Sequence, residues 1–188
     1  MARAAAFDRA ELVGKARDLF WARGWAGTSL KDLERALDVR PGSFYAAFGS
    51  KDALYAEALE GYAAEGAVRL DALAEANGPL GALKAHLIEM AKPGTARACM
   101  LVKTLLEVQG RQDALSGKAS ELLDAMEARF AALFAAAQEA GEIGTGHDPA
   151  LLARRYQSDL TGLRATAERP GVDAGALAQE IAAGLDAL

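Results

Sequence analysis

The stretch that most constrains this 188-residue chain is residues 28–51, TSLKDLERALDVRPGSFYAAFGSK, which reads as a short helix, a tight turn, a second short helix and the start of a third. Thr28 or Ser29 can cap the first helix. Ser29-x-x-Asp32 has the form of a capping box, in which each side chain meets the other residue's backbone amide. Leu30, Leu33 and Leu37 then fall at i, i+3 and i+7 and give that helix one apolar face. Asp38 stands where the chain must reverse, and Asp tolerates left-handed backbone better than most residues with a side chain. Pro41 suits the first position of the next helix, where its missing N–H would have had no helical partner. In that helix Phe44, Ala47 and Phe48 share a face and are expected to point into a small core. Gly42, Ser43, Tyr45 and Ala46 are left outward. So small and weakly charged a face suits insertion into a groove better than ordinary solvation.

Two short helices joined by a tight turn, the second presenting small and hydrogen-bonding side chains, make the pattern of a DNA-binding helix-turn-helix. Val39 to Phe48 (VRPGSFYAAF), followed by Ser50-Lys51-Asp52-Ala53-Leu54, also resembles the motif of TetR/AcrR-type transcriptional regulators. That motif is written G-V-S-x-G-x-[LF]-Y-x-x-F, then x-S-K-x-x-L. Gly42, Tyr45, Phe48, Ser50, Lys51 and Leu54 stand in register with it. Asp38 replaces a usual Gly, Arg40 replaces a common Ser cap, and Ala46-Ala47 replaces frequent His or polar residues. These departures spare the fold and remove any base preference carried over from relatives. The resemblance implies an all-α chain of about nine helices. Residues 1–50 would form the helix-turn-helix domain and residues 51–188 a helical effector-binding and dimerisation domain.

Composition agrees with helix. Apolar residues make up 52% and aromatics 6%, and Ala dominates the second half. No stretch approaches ~18 uncharged apolar residues, so no membrane-spanning helix and no membrane partner are expected. Met1 to Phe7 has no long apolar run of the secretory kind. The single Cys99 excludes an intrachain disulfide and fits a reducing, cytoplasmic location. The net charge of −5 is unevenly spread. Residues 1–52 hold nine Lys/Arg against seven acids, leaving +2 there and −7 on residues 53–188. A mildly basic head on an acidic body orients the head toward DNA.

Along the chain, Arg3 lies in an N-terminal arm where it either reaches a phosphate or is simply solvated. Asp8 and Glu11 open a helix ending at Gly24, stapled by Phe7 and Leu12, with Leu12, Ala16, Leu19 and Phe20 inward. Trp25 is expected to plug the three-helix core. Ser50 caps a longer helix broken at Asn77-Gly78-Pro79. The next helix stops at Lys92-Pro93-Gly94, and Thr95 caps another reaching about Gly110. A long helix over about 114–140 follows, then two closing helices, 149–168 and 172–187, with Arg169-Pro170-Gly171 between them.

Candidate DNA-contacting residues are Thr28, Ser29, Arg40, Pro41, Gly42, Ser43, Tyr45, Ala46 and Lys51. Thr28 and Ser29 would bring hydroxyls and amides to a phosphate at a helix N-terminus, and Lys51 a point charge. Arg40 carries the bidentate fork that reads guanine, and Ser43 and Ala46 could touch a base edge and a thymine methyl. By resemblance, a small-molecule effector of unknown identity enters the body among candidates Leu87, Met90, Cys99, Met100, Lys103, Thr104, Met126, Phe130, Phe134 and Tyr156. All of these equally suit a core. The resemblance also pairs the last two helices with those of a second copy, through Leu152, Tyr156, Leu160 and Leu163 on one and Leu177, Ile181 and Leu185 on the other. Alternatively, both stripes bury themselves within the monomer. Cys99, read as lying in the first turns of a helix with Lys103 at i+4, is either an electrophile- or oxidant-sensing thiolate or a small packing residue.

Enzymatic motifs are missing: the only histidines are His86 and His147, and no H-E-x-x-H, C-x-x-C, phosphate loop or G-x-S-x-G occurs. No catalytic residue, metal ligand or cofactor is expected. The rival reading is a helical dimeric carrier or interaction protein without DNA binding.

Overall fold

The computed structural model describes residues 9–92 and 97–188. Helix is the regular structure throughout these residues: α1 (Arg9–Arg23), α2 (Leu30–Leu37), α3 (Pro41–Phe48), α4 (Lys51–Met90), α5 (Met100–Val108), α6 (Asp113–Glu139), α7 (Pro149–Thr166) and α8 (Ala174–Gly184), with a 3-10 turn over Leu185–Ala187. The fourth is two helices end to end. Gly78 at its break has φ 72° and ψ 176°, a geometry closed to residues with a Cβ. Pro79 then opens the second half, and the Glu142 carboxylate accepts the Leu80 amide at 2.9 Å. The break expected at residues 77–79 is therefore real, and the nine expected segments match eight helices with one of them broken. The expected roles of Arg3, Phe7, Asp8, Pro93, Gly94 and Thr95 fall outside the described residues. Because α5 begins at Met100, Cys99 stands just before a helix, not within its first turns.

The chain forms two compact units. The first comprises the residues up to Ala64 together with Lys103–Leu122; the second comprises Glu65–Val102 and Leu123–Leu188. The expected boundary at residue 50 does not coincide with this division. Long-range bonds explain the difference, because residues from α5 and α6 are tied to the start of the chain. Thr104 shares a 2.8 Å hydrogen bond with the Tyr55 hydroxyl, and Lys118 pairs with Glu60 at 3.2 Å. The core of the first unit holds Leu12, Ala16, Phe20, Leu33, Leu37, Phe44, Phe48, Leu54 and Tyr55, all buried. Phe20 and Tyr55 meet edge-to-face with centroids 4.6 Å apart.

In the second unit α4, α6, α7 and α8 enclose a core containing Leu83, Leu87, Met90, Phe130, Phe134, Tyr156, Leu160, Leu163, Ala178 and Ala182. Small residues on α8 let it lie close to α7. Asp148 caps α7, accepting the Ala150 amide at 2.9 Å ahead of Pro149. One polar pair sits among these apolar groups. His86, 5% exposed, has Nδ1 2.9 Å from the Tyr156 hydroxyl, and that hydroxyl donates to the Leu83 carbonyl at 2.9 Å. With the hydroxyl proton committed to Leu83, Nδ1 must be the donor, which fixes the tautomer.

Burial, and then the charges of Arg164 and Arg69, lower the His86 pKa from 6.5 to about 4. The unfolded chain takes up a proton near pH 6.5 that the folded chain refuses until about pH 4. Stability is therefore lost as pH falls through that window, by about 3 kcal/mol at its lower end. We expect the thermal midpoint of the wild type to drop more steeply between pH 6.5 and 4 than that of His86→Asn, which keeps a donor near Nδ1 but does not titrate. Parallel profiles for the two proteins would contradict this assignment.

Candidate nucleic-acid interface

The geometry of the site begins at Ser29. Its hydroxyl accepts the Asp32 amide at 3.2 Å, while the Asp32 carboxylate accepts the Ser29 amide at 3.0 Å and the Ser29 hydroxyl at 2.6 Å. The box is thus complete. Donation from the Ser29 hydroxyl, then from its amide, holds the Asp32 carboxyl below the ordinary aspartate range. Asp38 ends α2 in left-handed conformation at φ 52° and ψ 46°, and its amide returns to the Glu34 carbonyl. This makes the turn tight, and Arg40 and Pro41 follow as N-cap and first residue of α3.

Phe44 is fully buried and Phe48 nearly so, while Pro41, Gly42, Ser43, Tyr45 and Ala46 are exposed. Tyr45 keeps 51% of its surface in solvent while its ring meets the edge of Phe44. Arg40 is exposed and makes no side-chain cap, so its guanidinium remains available at the N-terminal end of the same face. The expected inward role of Ala47 is overturned: the residue is exposed, and its carbonyl accepts from Arg9 Nη1 at 2.6 Å. Sequence reasoning missed Arg9. Its guanidinium forks onto Glu57 at 2.9 and 2.7 Å and lies 5.1 Å from the centre of the Phe48 ring, holding the C-terminal end of α3.

Three expected contacts are reassigned by the geometry. Thr28 is fully buried and its hydroxyl donates to the Gly24 carbonyl at 2.7 Å, so it cannot reach a phosphate. The Ser29 hydroxyl and amide are both used inside the capping box, which leaves this end of α2 its first-turn backbone amides to offer. Lys51 Nζ donates to the Trp25 and Thr28 carbonyls at 2.8 and 3.1 Å and lies 3.9 Å over the Trp25 ring. Trp25 itself is only half-buried, its indole N–H donating to Asp52 at 2.7 Å. It is a strut under the 24–28 loop, not a core plug.

Residues 12–58 match the model for bacterial regulatory proteins of the tetR family, and residues 66–168 match the Tetracyclin repressor-like C-terminal domain. The chain belongs to the TetR family. A transcriptional regulator named CifR, solved as a cysteine mutant with 26-bp double-strand operator DNA, is similar over 98% of both chains at 29% identity and a TM-score of 0.83. The reduced form of E. coli NemR shares the fold at 21% identity over 96% of each chain, with a TM-score of 0.83. The E. coli K12 repressor ComR is 39% identical over 56 residues, which span 30% of this chain and 27% of that protein. The helix-turn-helix described above is accordingly that of a TetR-family DNA-binding transcription regulator.

The residues expected in the TetR-type body divide between the two units. Leu87, Met90, Phe130, Phe134 and Tyr156 are core residues of the second, with Met126 packed against them; Met100 is buried and Cys99 half-buried. Lys103 and Thr104 belong to the first, where Lys103 Nζ donates to the Trp21 carbonyl at 2.8 Å and Thr104 faces Tyr55. They are not pocket residues of the second unit. Phe134 and Tyr156 do border a cleft of about 220 Å³ with Leu152, Ile181, Leu185 and Leu188. The expected dimer stripe on α7 is also reassigned. Leu152, Tyr156, Leu160 and Leu163 are all buried within the chain, whereas Leu151 is 64% and Leu177 36% exposed. Ile181 and Leu185 are half-buried. Among the described residues no group of three or more His, Cys, Asp or Glu side chains could hold a metal ion, and no helix is long and apolar enough to cross a membrane.

Because Lys51 is tied to two carbonyls, Lys51→Ala should lower unfolding stability by about 2 kcal/mol, measured by denaturant melts. An unchanged melt, with a shallower salt dependence of DNA binding, would return this lysine to phosphate duty.

Proposed function

We propose that the protein is a dimeric repressor which occupies a near-palindromic operator and is released when a small molecule binds its helical body. The observation that carries the reading is the exposed Gly42, Ser43, Tyr45 and Ala46 surface on a helix held from behind by Phe44 and Phe48, with Arg40 at its N-terminal end. This side carries small residues around one exposed tyrosine and no acidic group, as suits a helix entering the major groove. The operator duplex carried by CifR and the repressor role in ComR's name support the same reading.

A twofold dimer sets two reading helices one DNA turn (~34 Å) or a multiple apart, matching a near-palindrome. The α7 and α8 surfaces suited to a partner are the exposed ones: Leu151, Arg155, Ser158 and Gly162, with Leu177 and Gly184. A Cβ at Gly162 or Gly184 would meet no heavy atom within 4 Å, so close approach of another helix is open there. The effector acts by binding one head spacing more tightly than another, and its differential affinity sets the size of the response. A regulator of this kind works in the cytoplasm.

Binding to random duplex should weaken steeply with salt, log affinity falling linearly with log salt concentration. Arg40→Ala should lose about 1–3 kcal/mol of discrimination at one base pair while keeping most of its affinity for random duplex. Sedimentation should show Leu151→Arg/Gly162→Arg as a folded monomer with weakened operator binding. A wild type without measurable affinity for any duplex would leave the helical carrier reading in its place.

A further inference from the structure

The loop joining α1 to α2 is held by opposite charges on its two kinds of backbone group. Glu107 accepts the Trp25 amide at 2.9 Å on one carboxylate oxygen and the Ala26 amide at 2.8 Å on the other. Lys51 takes the Trp25 and Thr28 carbonyls from the opposite sense. The Trp25 residue is thus bonded to an anion through its N–H and to a cation through its C=O. Gly24 completes the arrangement. Its φ is +77°, and a Cβ there would lie 2.6 Å from a Glu107 carboxylate oxygen. One turn earlier on α5, Lys103 Nζ donates to the Trp21 carbonyl, and Thr104 meets Tyr55. Three side chains from two turns of α5 therefore fasten the end of α1, the loop and the start of α4.

We propose that Glu107 is a positioning residue for operator binding: by gripping the Trp25 and Ala26 amides from α5 it sets where the Ser29 cap, and with it the N-terminus of α2, stands relative to α3. The physical case is one of leverage. Ser29 begins α2 three residues after Ala26, so a loop released at residues 25 and 26 loses the restraint nearest the first turn of α2. A helix N-terminus displaced by a fraction of a hydrogen-bond length still attracts phosphate, but two heads must fit one operator at once. The consequence falls on specific binding, not on the general attraction of a duplex. Glu107 touches no DNA in this account and acts through the loop.

The proposal rests on the DNA-binding reading above, and its test separates the two. The wild type first enriches a duplex from a random-sequence pool; failure to enrich any duplex overturns the DNA-binding reading, and the clasp proposal with it. With an enriched duplex in hand, Glu107→Gln and Gly24→Ala attack the same contact from its two sides. Both should lose tenfold or more in affinity for the enriched duplex, with affinity for random duplex changed less than twofold. Hydrogen exchange at the Trp25 and Ala26 amides should accelerate in both, and Glu107→Gln should melt within a few degrees of wild type. Faster exchange with unchanged affinity for the enriched duplex overturns the proposal. So does a parallel loss on both duplexes accompanied by a large fall in melting temperature, which would make the carboxylate a plain stability contact.

Discussion

The burial of Phe44 and Phe48 behind α3 is the constraint on which the surface proposed to meet DNA depends. An eight-residue helix is too short to persist in water on its own propensity, so its position is decided by what it packs against. Two phenylalanines at i and i+4 give it one anchored side, and this fixes which residues look outward. Arg9 closes the far end by holding the Ala47 carbonyl and lying over Phe48, while Asp38 and Pro41 set the near end. The outward surface is thus a product of packing on the other side of the helix.

Much of this was legible because it is local. The Ser29–Asp32 box, the left-handed Asp38, Pro41 at the first helical position and the break at Gly78 each follow from the conformational preference of residues close in sequence, and each stands in the structure. Gly42, Ser43, Tyr45 and Ala46 on α3 were legible for the same reason, since a period of 3.6 determines what lies opposite two phenylalanines, whereas Ala47, beside Phe48, is exposed against expectation.

Pairings at long range were not legible. Thr28 and Lys51 carry the chemistry of phosphate contacts, and only the placement of the Gly24, Trp25 and Thr28 carbonyls turns them inward to the loop. Glu107 stands 82 residues from Trp25, with no pattern in the intervening chain to announce the bond. The leucine and tyrosine stripe on α7 illustrates a second limit. Periodicity says that a face is to be buried but not what buries it, and here the chain's own helices do so. The sequence places His86 in no enzymatic motif and gives no sign of its partner. Yet His86 is one of four buried polar or charged side chains among the described residues, and its burial against Tyr156 makes the stability of the second unit depend on pH.

The central claim is that α3 is held from behind so that its small-residue side enters a DNA groove. Gly42→Leu tests it most directly, because a Cβ at this exposed position meets nothing within 4 Å and leucine favours helix over glycine. The fold should keep or slightly raise its melting temperature, while retention on duplex DNA, measured by fluorescence anisotropy, should fall at least tenfold. Undiminished retention with the bulky side chain in place would contradict the account.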